Sequence, residues 1–180
     1  MKISNKYLFL FLSVFSILTV TAISGLQNSV NQVQEKQILN TLLDNWHAAA
    51  AKADHNGYFG KIADDGHYIG TDATENWDKI AFAAFSKPYF DRGKAWDFKA
   101  VERNIYFSKD GKVAWFDELL DTWMKGCRGS GVLEKQGKEW KIKHYVLSMT
   151  VPNDVTDKVI PLKAQYEDDI FKNKKATDKN

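Results

Sequence analysis

The chain has 180 residues, with 25 Lys and Arg against 23 Asp and Glu and a hydrophobic fraction of 44%. That is enough for one globular domain and too little for two, and the apolar content excludes a disordered or collagenous chain. Six Trp, seven Tyr and eleven Phe supply large rings for a core or a pocket wall, and the lone Cys127 leaves no intrachain disulfide to staple the fold.

At the N-terminus, Lys2 and Lys6 precede an apolar run from Tyr7 to Ile23, diluted by Ser13, Ser16, Thr19 and Thr21. Ala22-Ile23-Ser24 then places small residues where a signal peptidase cuts. The run is near the lower limit for a bilayer span, and its hydroxyls weaken it further. Residues 1–24 are therefore read as a cleaved export signal. The mature chain is expected to be periplasmic or secreted, touching a membrane only through that segment before cleavage. Its loss removes two Lys and no acid, leaving 23 cations against 23 anions. A neutral chain lacks the basic face of a nucleic-acid binder.

Residues 25–154 are expected to form one domain, and 155–180 a C-terminal helix with a polar tail. Ile38, Leu42, Trp46, Ala49 and Ala53 recur at helical spacing, predicting a helix from Asn31 to about Asp54. Gly57 interrupts the pattern before a short second helix over Tyr58 to Ala63, and His67 to Gly70 is read as a strand. Asp72 with Glu75 resembles a capping box opening a helix through Trp77, Ile80, Ala81 and Phe85, which Pro88 should end. Trp96, Phe98 and Ala100, then Ile105 and Phe107, mark a strand whose parity changes near Glu102. Asp110-Gly111 is a hairpin turn. Lys112 to Trp123 carries large residues on both faces, and Gly126 to Lys135 follows. After a turn at Gln136-Gly137-Lys138, Trp140, Ile142, His144, Val146 and Ser148 alternate with Lys141 and Lys143. Long strands joined by tight turns predict an antiparallel meander. A last helix carries Val159, Leu162, Tyr166 and Ile170, with Pro161 in its first turn. The class is α+β.

Chemistry-bearing residues are few. The four His form no metal-ligand pattern, and Gly126 to Gly131 lacks the strand-then-helix context of a phosphate loop, so no metal or cofactor is expected. His144 shares parity with Trp140 and Ile142, which face the interior if Lys141 and Lys143 face water. Arg128 and Ser130 share parity with Val132 and would enter the same interior if Val132 does. Asp117 and Glu118 are adjacent, so only one points inward, and Trp115 and Phe116 do not decide which. A carboxylate beside Arg103 or Arg128 is either a satisfied ion pair or a general base held in an apolar pocket. Asp72 is a helix cap with a lesser claim to a pocket role, and Trp46, Tyr58 and Trp77 are core or pocket wall.

Several segments carry a resemblance: Trp46-His47-Ala48-Ala49-Ala50 with Asp54 and Tyr58-Phe59, Tyr68 to Asp72, Arg103-Asn104-Ile105, Val113 to Glu118, and Trp140 to Ser148. Together they resemble the nuclear transport factor two-like superfamily, in its SnoaL-like bacterial branch. The resemblance implies a cone-shaped, strongly curved antiparallel sheet wrapped around N-terminal helices, with a pocket at its open end. Its members include isomerases, dehydratases, hydrolases and binding modules, so function has to be argued from the site. The expected function is binding of a small, largely apolar molecule, with Trp46, Tyr58, Asp72, Trp77, Arg103, Trp115, Glu118 and Ser130 around it. The alternative is a cofactor-independent lyase, isomerase or hydrolase using His144, Asp117 and Arg128 for proton transfer. A third reading is a non-catalytic interaction module, a homodimer covering the second apolar face of Lys112 to Trp123.

Overall fold

The computed structural model describes residues 32–177; the expected export segment 1–24 lies outside them. These described residues divide into two units, 32–39 and 40–177, and the architecture and sites below are those of the second. Helix α1 occupies 32–51, and its part from Asn40 onward belongs to that unit. It stops short of Asp54 because Ala53 takes a left-handed conformation (φ 55°), while the Asp54 N–H bonds back to the Ala49 carbonyl. The Asp54 side chain then caps α2 (His55–Phe59) by accepting from the Gly57 N–H at 2.8 Å.

Six strands follow in one sheet: β1 (Ile62–Ile69), β2 (Asn76–Asp78), β3 (Lys99–Phe107), β4 (Val113–Thr122), β5 (Lys125–Gln136) and β6 (Glu139–Met149). Their order is β2-β1-β6-β5-β4-β3, with β3 to β6 an antiparallel meander and β1 running parallel to β6. The sheet is curled, and its register shifts at three places: within β1, between Ala100 and Glu102, and opposite Val132/Leu133. Each extra residue adds local twist and bends the strand that carries it. The parity change expected near Glu102 is the second of these.

Helix α3 (Lys79–Asp91) starts later than the capping pattern suggests. Asp72 and Glu75 do make reciprocal contacts, with the Asp72 N–H donating to Glu75 Oε2 at 3.2 Å and the Glu75 N–H donating to the Asp72 carbonyl at 3.0 Å, while the Thr74 N–H donates to Asp72 Oδ1 at 2.8 Å. They close a turn, not a helix, because Trp77 pairs with Tyr68 as strand β2. The cap of α3 is Asp78, whose side chain accepts from the Ala81 N–H at 2.8 Å. Pro88 does not end this helix, which continues to Asp91. Its last turn buries Phe90 between Tyr58 and Trp96, each with ring centroids 5.6 Å away, and that burial outweighs the hydrogen bond Pro88 removes.

A 3-10 turn (Asn153–Val155) leads into α4 (Thr156–Thr177). Pro161 therefore sits inside α4 and not in its first turn. Among the described residues no helix is long and apolar enough to cross a membrane.

The core lies between the inner face of the sheet and helices α1 to α3. Ala114, Phe116, Glu118 and Leu120 of β4 face it, as do Cys127, Gly129, Gly131 and Leu133 of β5. The two inward glycines are spacers. A Cβ at Gly131 would lie 2.7 Å from the Phe116 ring, and one at Gly129 would meet the Tyr145 hydroxyl and the Glu118 side chain.

Candidate functional site

Two features share the interior: a sealed polar cluster and an open aromatic cleft. The cluster is centred on Glu118, which is fully buried. Tyr145 Oη donates to Glu118 Oε1 at 3.0 Å, and His47 Nε2 lies 2.8 Å from the same oxygen. Arg103 Nε donates to Oε2 at 2.8 Å. Arg103 Nη1 extends the network to the Asn40 carbonyl and to Asp44 Oδ1, at 3.2 and 2.8 Å. Burial alone would raise the Glu118 carboxyl, but the hydrogen bond and charge of His47, with Arg103, hold it below the ordinary glutamate value. Burial pushes the Tyr145 phenol well up, so it stays a neutral donor. The Glu118 carboxylate is thus ionised and engaged on both oxygens, a structural anchor between α1, β3, β4 and β6.

The cleft is a cavity of about 200 Å³. Tyr68 of β1, Trp77 of β2, Phe82 and Phe85 of α3, and Trp96 and Phe98, which precede β3, line it. Trp77 stacks on Phe85 with centroids 4.4 Å apart, and Phe82 stacks on Tyr68 at 3.9 Å. The β4–β5 turn closes the rim. Thr122 Oγ1 accepts from the Met124 N–H and donates to the Lys125 carbonyl, so only Trp123 and Met124 project. Trp123 is 80% exposed and borders the cavity.

A second cavity of about 300 Å³ lies beside α1, bordered by Asp44, His47, Lys52, Asp97 and Lys99. His47 and Asp44 join it to the Glu118 cluster, and the His47 Nδ1 is buried without a hydrogen-bond partner. Among the described residues no group of three or more His, Cys, Asp or Glu could hold a metal ion.

The residues singled out in the sequence separate into three places. Glu118 and Arg103 form the buried pair, and Trp46 and Tyr58 stack beneath it at 4.8 Å as core. Trp77 lines the cleft, and Asp72 lies exposed in the turn next to it. Asp117, Arg128, Ser130, His144 and Trp115 lie on the outer face of the sheet. Arg128 is 51% exposed along its side chain and 3.5 Å from Asp117, and Trp115 stacks on Tyr106 at 6.0 Å. The expected convergence of His144, Arg128 and a carboxylate inside the cone is therefore corrected, and Glu118, not Asp117, is the inward acid.

Arg128 and Ser130 follow Val132, which β5 turns outward opposite the buried Cys127, Gly129, Gly131 and Leu133, whereas for His144 the cause is a single residue. Val132 pairs with His144 but Leu133 pairs with Ile142, so Lys143 is an extra residue in β6. Beyond it the parity inverts, sending Tyr145 and Leu147 inward and His144 and Val146 outward. Tyr145-Val146-Leu147 is apolar throughout, so either phase satisfies the hydrophobic pattern. His47, Tyr145, Glu75, Trp96 and Trp123 were missed as site residues. The signal at hand was the pair of large residues on the hairpin tip, Trp123-Met124, which a turn exposes without reason unless they cover something.

This arrangement, a curled meander closed over α1 to α3 with a lined hollow at its mouth, is the nuclear transport factor two-like cone. Similar solved structures include an NTF2-like protein of unknown function from Pseudomonas putida, 17% identical over 68% of this chain and 92% of that one, with a TM-score of 0.57. A putative aromatic ring hydroxylase from Novosphingobium aromaticivorans is 11% identical, covering 67% and 92%, with a TM-score of 0.58. An NTF2-like protein from Cytophaga hutchinsonii is 15% identical, covering 64% and 98%, at 0.53. These likenesses establish the fold. The chain belongs to the SnoaL-like domain family, which matches residues 39–152. Comparison with the curated proteins found no match.

Proposed function

We propose that the protein binds a small, largely apolar molecule in the aromatic cleft, after export by its N-terminal segment. The observation that carries this reading is the contrast between the two interior features. The cleft is open, with half-buried Trp77 and exposed Trp123 at its rim, whereas the Glu118 carboxylate is sealed and satisfied. A concave, mostly apolar site with few polar groups is what a small-molecule pocket requires. The outer face of the sheet, with Tyr106, Trp115, Val132 and Val146 bordered by Arg128, Ser130 and His144, is assigned to a homodimer interface.

Native mass spectrometry of protein from its own source tests this directly. A retained small molecule that is lost in Trp77→Ala, together with a mature chain beginning at Gly25, is the expected result. Absence of any retained molecule, with wild type and Trp77→Ala equally unable to bind tert-butylbenzene, overturns the binding reading; recovery of the intact Met1 terminus overturns export.

A second reading, proton transfer without a cofactor, is favoured by the unpartnered His47 Nδ1 beside the second cavity. The Glu118 carboxylate on Nε2 holds the ring in place, leaving Nδ1 as the atom that would exchange a proton with a bound molecule. His47→Gln would then abolish turnover while leaving occupancy of the aromatic cleft intact.

A further inference from the structure

Resting on the reading of the cleft as a ligand site, we infer that it selects an organic cation with an apolar or aromatic body, held between the ring faces and the carboxylate of Glu75. Among the described residues that line the cavity, Glu75 is the one acid, and no Lys, Arg or His accompanies it. Glu75 is half-buried, forms no ion pair with any described residue, and accepts one hydrogen bond, from the Asp72 N–H at 3.2 Å. Most of its acceptor capacity is thus unused. Its position is held from below by Gly70. A Cβ there would lie 3.0 Å from the Glu75 Cδ, so an added methyl would push the carboxylate aside.

Charge complementarity then decides the ligand class. Aromatic faces carry the negative end of the ring quadrupole and attract cations, most strongly at Trp. An anion would meet repulsion from both the ring faces and Glu75. A neutral apolar body would fill the cavity but bury the carboxylate without a partner. A quaternary or protonated amine answers both. Tyr89, which also lines the cavity, already holds a cation, the Arg92 guanidinium, 4.8 Å from its ring centroid. Burial raises the Tyr68 phenol, with Glu75 adding to the rise, so Tyr68 contributes a neutral ring and no competing anion.

The test compares three probes of nearly equal shape against the full chain by tryptophan fluorescence or calorimetry: phenyltrimethylammonium, tert-butylbenzene and benzenesulfonate. The expected order is cation over neutral by about tenfold, with the anion weakest. Glu75→Gln should reduce that preference several-fold, by weakening phenyltrimethylammonium and not tert-butylbenzene, while thermal unfolding stays unchanged. Gly70→Ala, which displaces the same carboxylate, should act in the same direction. Neutral binding equal to or tighter than cation binding, a preference for the sulfonate, or a preference that survives Glu75→Gln each overturns the inference and leaves the apolar pocket standing. Failure of all three probes to bind overturns the pocket reading itself.

Discussion

At the scale of single residues, Glu118 is where burial, charge and hydrogen bonding meet. Three donors converge on its carboxylate, and Arg103 in turn relies on Asp44 and Asn40. Removing one partner of such a buried pair leaves the other charge without compensation, so Glu118→Gln is expected to destabilise the fold by about 3–5 kcal/mol in urea unfolding. The pH dependence follows from the same contacts. The folded carboxyl is held below its ordinary value of 4.5, so the unfolded state binds the proton first. The stability this group contributes is complete above that unfolded value and is lost as pH falls through the lower, folded one. Denaturation midpoints measured from neutral to acid pH should fall below about pH 4.5 in the wild type, and Glu118→Gln should flatten that fall. Gly129 belongs to the same site from the opposite strand. Gly129→Ala would push its Cβ into the Tyr145 hydroxyl and the Glu118 side chain, costing about 1–3 kcal/mol by overpacking. Calorimetric melting would show it, and an unchanged melting temperature would mean that β5 can move away.

Among the elements, α3 and β6 show how a local signal is overruled by its surroundings. Asp72 and Glu75 have the chemistry of a helix start, yet the helix begins after Asp78, because pairing Trp77 with Tyr68 buries a ring that a helix would have pointed elsewhere. Capping energies distinguish the two positions. Asp78→Ala should cost about 1 kcal/mol in thermal unfolding, while Asp72→Ala should stay within about 0.5 kcal/mol. Equal losses would mean that the turn at Asp72 matters as much as the cap. In β6 the bulge at Lys143 sets which side chains reach the core, and the apolar residues after it fit either phase by composition. Alternation identified the strand and its length; the phase came from the partner strand.

For the whole molecule, the outer face of the sheet is the surface that asks for a cover. Trp115 is 46% exposed and stacked on Tyr106, and Leu119, Val132 and Val146 lie half-buried around it. A second copy of the chain placed there would cover them about a two-fold axis, so that each residue meets its own counterpart's surroundings. Light scattering should give twice the chain mass for wild type and a single chain mass for Trp115→Glu, with both proteins retaining the same near-ultraviolet circular dichroism. A wild-type monomer would place that face in water instead.

The amino-acid order by itself determined the α+β class, the meander with its hairpin turns, the break in β3 near Glu102 and the aromatic excess that a cleft needs. These depend on local periodicity and turn chemistry, which act over a few residues. Tertiary structure alone decided that Glu118 and not Asp117 faces inward, that His144 and Arg128 lie outside, and that Trp123 and Glu75, about fifty residues apart in the chain, border one hollow. The reason is geometric. Strand side chains alternate with a period of two; in β4, with large residues on both faces, only packing chooses the phase, and in β6 one inserted residue reverses every orientation beyond it, which only the register with a neighbouring strand reveals.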